Sequence, residues 1–208
     1  MFQLEDGQRV LMIGDSITDC DRRGNHKPLG AGYVREIADL VAARYPERSI
    51  EFINQGISGN TVRDLARRWE TDVLAYEPDW LSISIGINDV WRQLDGRPEQ
   101  AVLIDEYRAT YGELLVKSTA SGKTRLILME TSVIGEQPDA EGNRLLEPYN
   151  LCIRQLAAEY GAVVVPMRRA FFTAIARRPQ QQWTTDGVHP NAAGHALMAL
   201  TWLGALGW

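Results

Sequence analysis

Short apolar runs alternate with longer stretches of helical spacing along the whole chain. Arg9–Ile13 is the first run, and it stops at Gly14. In 32–45, Val34, Ile37, Ala38 and Val41 recur three or four residues apart, which is one face of a helix. Strand-like runs return at Ser49–Asn54, Trp80–Ile85, Arg125–Met129 and Ala162–Pro166. Between them lie helical patterns. Thr61–Tyr76 turns Val62, Leu65, Trp69 and Val73 inward, and Glu99–Ser118 carries Val102, Tyr107, Tyr111, Leu114 and Leu115. Leu145–Tyr160 ends at Gly161, a residue suited to a left-handed cap. Ala170–Arg177 and Asn191–Leu206 complete the set.

Five strands separated by helices require parallel pairing through crossover connections. Continuous apolar strands fit a sheet covered on both faces. The pattern predicts an α/β fold: one domain over 1–208, a three-layer α/β/α sandwich on a five-stranded parallel sheet. Such sheets place their chemistry at the carboxyl ends of the strands.

Composition narrows the function. The 208 residues are 45% apolar and 24% charged, with a net charge of -5. That balance predicts a water-soluble globule and argues against a nucleic-acid partner, since no basic surface dominates. The pairs Arg22-Arg23, Arg67-Arg68, Arg168-Arg169 and Arg177-Arg178 are scattered and read as solvated faces. Two cysteines, Cys20 and Cys152, with no CxxC, imply neither a disulfide framework nor a thiolate metal site. Met-Phe-Gln-Leu-Glu-Asp-Gly at the start has no basic region leading into a long apolar stretch. The expectation is no signal peptide, no membrane span and a cytoplasmic location.

Candidate chemistry sits where strands end. Ser16 follows the first strand, at a turn that can expose its hydroxyl and leave its amide free. Asp186 and His189 are three apart, so one tight turn can let the carboxylate accept from imidazole Nδ1–H and leave Nε2 to take a serine proton. Gly59, in a turn entering a helix, and the side-chain amide of Asn88 can join the Ser16 N–H as donors to a developing oxyanion. Trp91 and Trp183 offer aromatic faces near these loops, and Asp15 and Val188 adjoin the same motifs; all four are candidates to line a substrate pocket. His195 falls inside the last helix and reads as structural, whereas His26 lies in a Gly-rich loop with no Asp at useful spacing and is a candidate for the pocket mouth. Taken singly, each motif also reads as a helix cap or an Asx turn. Together, in this order and at one end of the sheet, they form the parts of a serine acyl-transfer site.

Gly14-Asp15-Ser16, Gly59, Asn88 and Asp186…His189 resemble the four blocks of the SGNH (GDSL-type) hydrolases, from about residue 10 to 195. The resemblance implies a flavodoxin-like fold, no metal or cofactor, and ester hydrolysis through an acyl-enzyme. Ser16 would be nucleophile, His189 base and Asp186 its orienting partner, with Ser16 N–H, Gly59 N–H and Asn88 as oxyanion hole. The runs 14–19, 54–65 and 85–92 are similar to the intracellular acetyl-xylan esterases of bacteria. That branch implies a small acetylated oligosaccharide as substrate and a homo-oligomer; Trp202 and Trp208 near the C-terminus read either as interface residues or as core packing with one exposed terminus. Stretches 21–30 and 134–147 are expected to flank the cleft and set its preference. A lysophospholipase, thioesterase or arylesterase pocket behind the same residues is the rival enzyme reading, and a carbohydrate-binding module the non-catalytic one.

Overall fold

Every residue of Val10–Gly14 is withdrawn from solvent, which a parallel strand achieves only when helices cover both its faces. In the computed structural model, which describes residues 2–208, this strand is β1 (Arg9–Gly14). It pairs with β2 (Glu51–Gly56) on one side and β3 (Trp80–Ser84) on the other. β4 (Arg125–Met129) and β5 (Val163–Val165) follow, giving a parallel sheet in the order β2-β1-β3-β4-β5. The chain leaves β1 toward one edge and returns on the other side as β3. Connections therefore diverge at the carboxyl ends of β1 and β3 and open a crevice there. Gly14 is in register with Gly56 and Ser84 at that edge.

The helices are α1 (Ser16–Asp19), α2 (Tyr33–Arg44), α3 (Val62–Asp72), α4 (Ile87–Trp91), α5 (Ile104–Thr119), α6 (Glu141–Tyr160), α7 (Met167–Arg177) and α8 (Ala192–Ala205). α8 packs on α2, α7 and β5, whereas α5 packs on α3 and α6. The expected three layers result. Two buried tryptophans tie α8 to the sheet and α3 to α5 through satisfied N–H groups. Trp202 Nε1–H donates to Ser82 Oγ (3.0 Å) and Trp69 Nε1–H to Ser118 Oγ (3.1 Å). Trp202 is fully buried, so the interface role suggested for it is wrong: α8 spends that side chain on the core. Trp208 stays half-buried, with the Arg44 guanidinium 4.5 Å from its ring.

Three local expectations shift. Glu99–Ser118 divides into a 3₁₀ turn at Pro98–Gln100 and α5, because Leu103 remains extended (ψ 159°). Thr61–Tyr76 likewise breaks at Val73 into α3 and a 3₁₀ turn, Leu74–Tyr76. α6 begins four residues before Leu145 and runs through Pro148. The stretch 134–147 is thus loop only up to residue 140. Buried Asn143 explains the early start: it accepts from Ile134 N–H (3.0 Å) and donates to the Gly135 and Gln137 carbonyls (both 2.8 Å), tying the loop to the helix.

Candidate active site

The turn from β1 into α1 is too tight for any side chain at position 14. A Cβ on Gly14 would lie 2.3 Å from the Ser84 carbonyl oxygen and 2.4 Å from Thr18 Oγ1. Asp15 then caps α1, its Oδ1 accepting from Ile17 N–H at 3.0 Å. This carboxyl is 2% exposed, and burial pushes its pKa up to about 6. Asp15 is therefore a cap beneath the site rather than a pocket wall, contrary to the expectation above. Ser16 becomes the first residue of α1, where an N–H has no intrahelical acceptor. Among the described residues nothing accepts from it.

Ser16 Oγ lies 2.9 Å from His189 Nε2, a contact across 173 residues. His189 Nδ1 lies 2.7 Å from Asp186 Oδ2. The other carboxylate oxygen, Oδ1, accepts from His189 N–H (2.8 Å) and Val188 N–H (3.0 Å). One aspartate thus both folds the turn and holds the ring. Burial raises the Asp186 pKa, but the hydrogen bonds from His189 and Val188 outweigh it and hold the group below the usual carboxylate range. With Nδ1–H directed to Asp186, the Nε2 lone pair faces the serine hydroxyl. Val188 is buried and belongs to the hydrophobic core, contrary to its expected place in the pocket lining. Trp91 stands edge-on to His189 with ring centroids 5.7 Å apart. Trp183 is half-buried, three residues before Asp186.

The donors come from the loops after β2 and β3. Gly59 has φ +84°, a conformation that favours glycine. Its N–H has no acceptor among the described residues, while its carbonyl receives Arg92 Nη2 at 3.4 Å. Arg92 is itself buried and paired with Asp95 at 2.7 Å. Asn88 Nδ2 donates one hydrogen to the Asn60 carbonyl (3.0 Å), which leaves its second hydrogen over. Next to it, Asp89 is fully buried and accepts Val62 N–H (3.0 Å) at the start of α3. Burial pushes the Asp89 pKa up to about 7, and its Oδ2 has no partner among the described residues. Asp89 and Arg92, which tie the two donor loops together, escaped the sequence reading. Their only signal was position beside Asn88, a residue already explicable as an Asx turn.

His195 takes no part in this contact. Its Nδ1 accepts Tyr33 N–H (3.2 Å), its Nε2 is 3.6 Å from Cys20 Sγ, and burial lowers its pKa to about 4. His26 is exposed. Among the described residues no cluster of three His, Cys, Asp or Glu is arranged to hold a metal ion.

A strand-to-helix serine, a turn-borne Asp–His pair and donors from two further loops define a class of protein. Residues 12–197 match the GDSL-like Lipase/Acylhydrolase family, and the chain belongs to it. Within that class, an acetylxylan esterase from Geobacillus stearothermophilus is 39% identical over 214 residues, covering 100% of this chain and 97% of its own. The crystal structure of Axe2, an acetylxylan esterase from that organism, matches with a TM-score of 0.90 at 41% identity, covering 99% of this chain and 97% of that one. Catalytic mutants of Axe2 at a serine, an aspartate and a histidine have been solved. LAE5, an alpha/beta hydrolase enzyme from the metagenome of Lake Arreo, matches at TM-score 0.90 and 36% identity, covering 100% of this chain and 98% of its own.

Proposed function

We propose that this chain is a serine esterase that removes acetyl groups from xylo-oligosaccharides or closely similar sugars, and that Ser16, His189 and Asp186 carry the reaction. The contact of Ser16 Oγ with His189 Nε2 at 2.9 Å, backed by Asp186 at 2.7 Å, is the observation on which the reading stands.

In this mechanism His189 Nε2 takes the Ser16 proton as Oγ attacks the ester carbonyl carbon. Negative charge moves to the carbonyl oxygen, and Ser16 N–H, Gly59 N–H and the Asn88 amide receive it. The tetrahedral intermediate collapses, the C–O bond to the sugar breaks, and imidazolium returns its proton to the departing alkoxide. Water, deprotonated by His189, then attacks the acyl-enzyme and acetate leaves with Ser16 restored. Trp91, beside the imidazole, bounds the acyl side, and Trp183 presents a sugar-facing surface. Support for the acetyl group and the sugar comes from the acetylxylan esterases to which the chain is similar.

The expected partner is a small acetylated oligosaccharide, with no nucleic acid or membrane, in a cytoplasmic homo-oligomer. No helix among the described residues is long and apolar enough to cross a membrane. Light scattering that returns the mass of a single chain would overturn the oligomer.

NMR of acetylated xylo-oligosaccharides should show acetate release with the protein and none with Ser16→Ala. With p-nitrophenyl esters, activity should peak at the acetyl ester. A maximum at octanoyl or longer would overturn the substrate reading and favour a lysophospholipase or thioesterase pocket.

A further inference from the structure

Glu136 stands in the loop after β4, and its Oε1 gathers three donors from a segment almost fifty residues further on. They are Trp183 N–H (2.9 Å), Thr184 N–H (2.7 Å) and the Thr184 hydroxyl (2.5 Å). Thr184 is buried, and its hydroxyl oxygen in turn accepts Gly187 N–H at 3.2 Å. Gly187 is the residue between Asp186 and Val188. From the other side Gly135 N–H donates to the Gly187 carbonyl at 2.7 Å. Thr185 N–H donates to the His189 carbonyl (2.8 Å), and Thr184 pairs with Pro190 as an isolated antiparallel bridge, closing the base of the turn.

We propose that Glu136 is a positioning residue for the histidine base, acting through Thr184 on the turn that carries Asp186 and His189. This rests on the reading of His189 as the base. The hydroxyl of Thr184 has one hydrogen to donate, and it donates it to Glu136 Oε1. The hydroxyl lone pairs must then face the Gly187 amide, so the carboxylate fixes the sense of the relay. All three bonds to Glu136 are charge-assisted, roughly twice as strong as neutral ones. Without the carboxylate, a buried hydroxyl and two backbone N–H groups lose their acceptor. The turn then keeps the bond from Gly135, its internal bonds and, at its base, the Asn191 N–H on the Trp183 carbonyl (3.0 Å). Among the described residues the Ser16–His189 contact is the one hydrogen bond between these two loops, so its length depends on how firmly each is held. Misplacement of a reacting group by about 1 Å costs on the order of 10²-fold.

The test uses Glu136→Ala, Glu136→Gln, Thr184→Val and Thr184→Ser in the full chain. kcat and KM are read on p-nitrophenyl acetate, and the rate at which a serine-directed phosphonate labels Ser16 is read alongside. Glu136→Ala should lower kcat by about 10²-fold, with KM little changed, and slow labelling in parallel. Gln keeps an oxygen acceptor and should recover most of the loss. Thr184→Val should behave like Glu136→Ala, and Thr184→Ser should recover; this pair decides the matter if Glu136→Ala does not fold. Unchanged kcat and labelling in Glu136→Ala, or Gln no better than Ala, would overturn the proposal. Ser16→Ala and His189→Ala separate this outcome from failure of the base reading. If both are inactive while Glu136→Ala is normal, only the role of Glu136 falls. If either keeps turnover, the base reading itself falls.

Discussion

A serine hydroxyl is a weak nucleophile until a base removes its proton, so the energetic weight of the candidate site falls unevenly on its residues. Loss of the hydroxyl or the imidazole removes the reaction path. Ser16→Ala and His189→Ala should each lower kcat by about 10⁶, and Asp186→Asn by about 10⁴. Asn88→Ala removes one of three oxyanion donors and should cost about 10²–10³ in kcat with a much smaller change in KM. Steady-state kinetics on p-nitrophenyl acetate check all four. Near-normal turnover in Ser16→Ala would end the assignment. At this scale the sequence was most informative where one side chain serves a local turn. The spacing of Asp186 and His189 is legible because a three-residue interval closes an Asx turn by itself. Asp15 and Val188 were misread because sequence adjacency to a motif does not say which way a side chain points.

Element geometry decides whether those side chains meet. α1 is only four residues long and exists because Asp15 caps it and Gly14 lets β1 pass close to β3. Gly14→Ala must push the Ser84 carbonyl or Thr18 aside. It should destabilise by about 1–3 kcal/mol, as overpacking does, and lower kcat by shifting Ser16. Gly204→Ala, at an exposed position near the end of α8 where an added Cβ meets nothing within 4 Å, should do the reverse and gain up to about 1 kcal/mol through helix propensity. Urea melts of the two variants test the pair of opposite signs. All five strands and the long helices were legible because each spans enough residues for its period to show. α1 and α4 were not, since four or five residues hold too little periodicity. The early start of α6 depends on Asn143 reaching back to a loop, which no helical pattern encodes.

For the whole molecule, burial of carboxyl groups under the site sets a pH dependence. The Asp89 pKa rises to about 7 in the fold, above its unfolded value of about 3.9. The neutral form is thus the one the fold favours. Its contribution is complete below the unfolded value and is lost as pH rises through about 7. Asp15 acts in the same sense up to about 6, whereas His195, lowered to about 4, opposes folding on the acid side. The difference in Tm between Asp89→Asn and wild type isolates the contribution of Asp89. It should move in favour of the variant between about pH 5 and about pH 8. A difference that stays constant across that range would show that Asp89 keeps an ordinary pKa.

By itself the sequence determined the five strands, the long helices between them and the four short motifs at the strand ends, with the family those motifs resemble. These rest on side-chain period and on turns closed within a few residues, both of which are properties of near neighbours. Only the tertiary structure decided the rest. It brought position 16 against position 189, buried Asp89 and Arg92 behind the donor loops, and spent Trp202 on the core. It also set Glu136 beneath the turn that carries the histidine. Those relations join segments whose separation is fixed by strand order and by how crossovers return to the sheet, and no local pattern of residues carries that information.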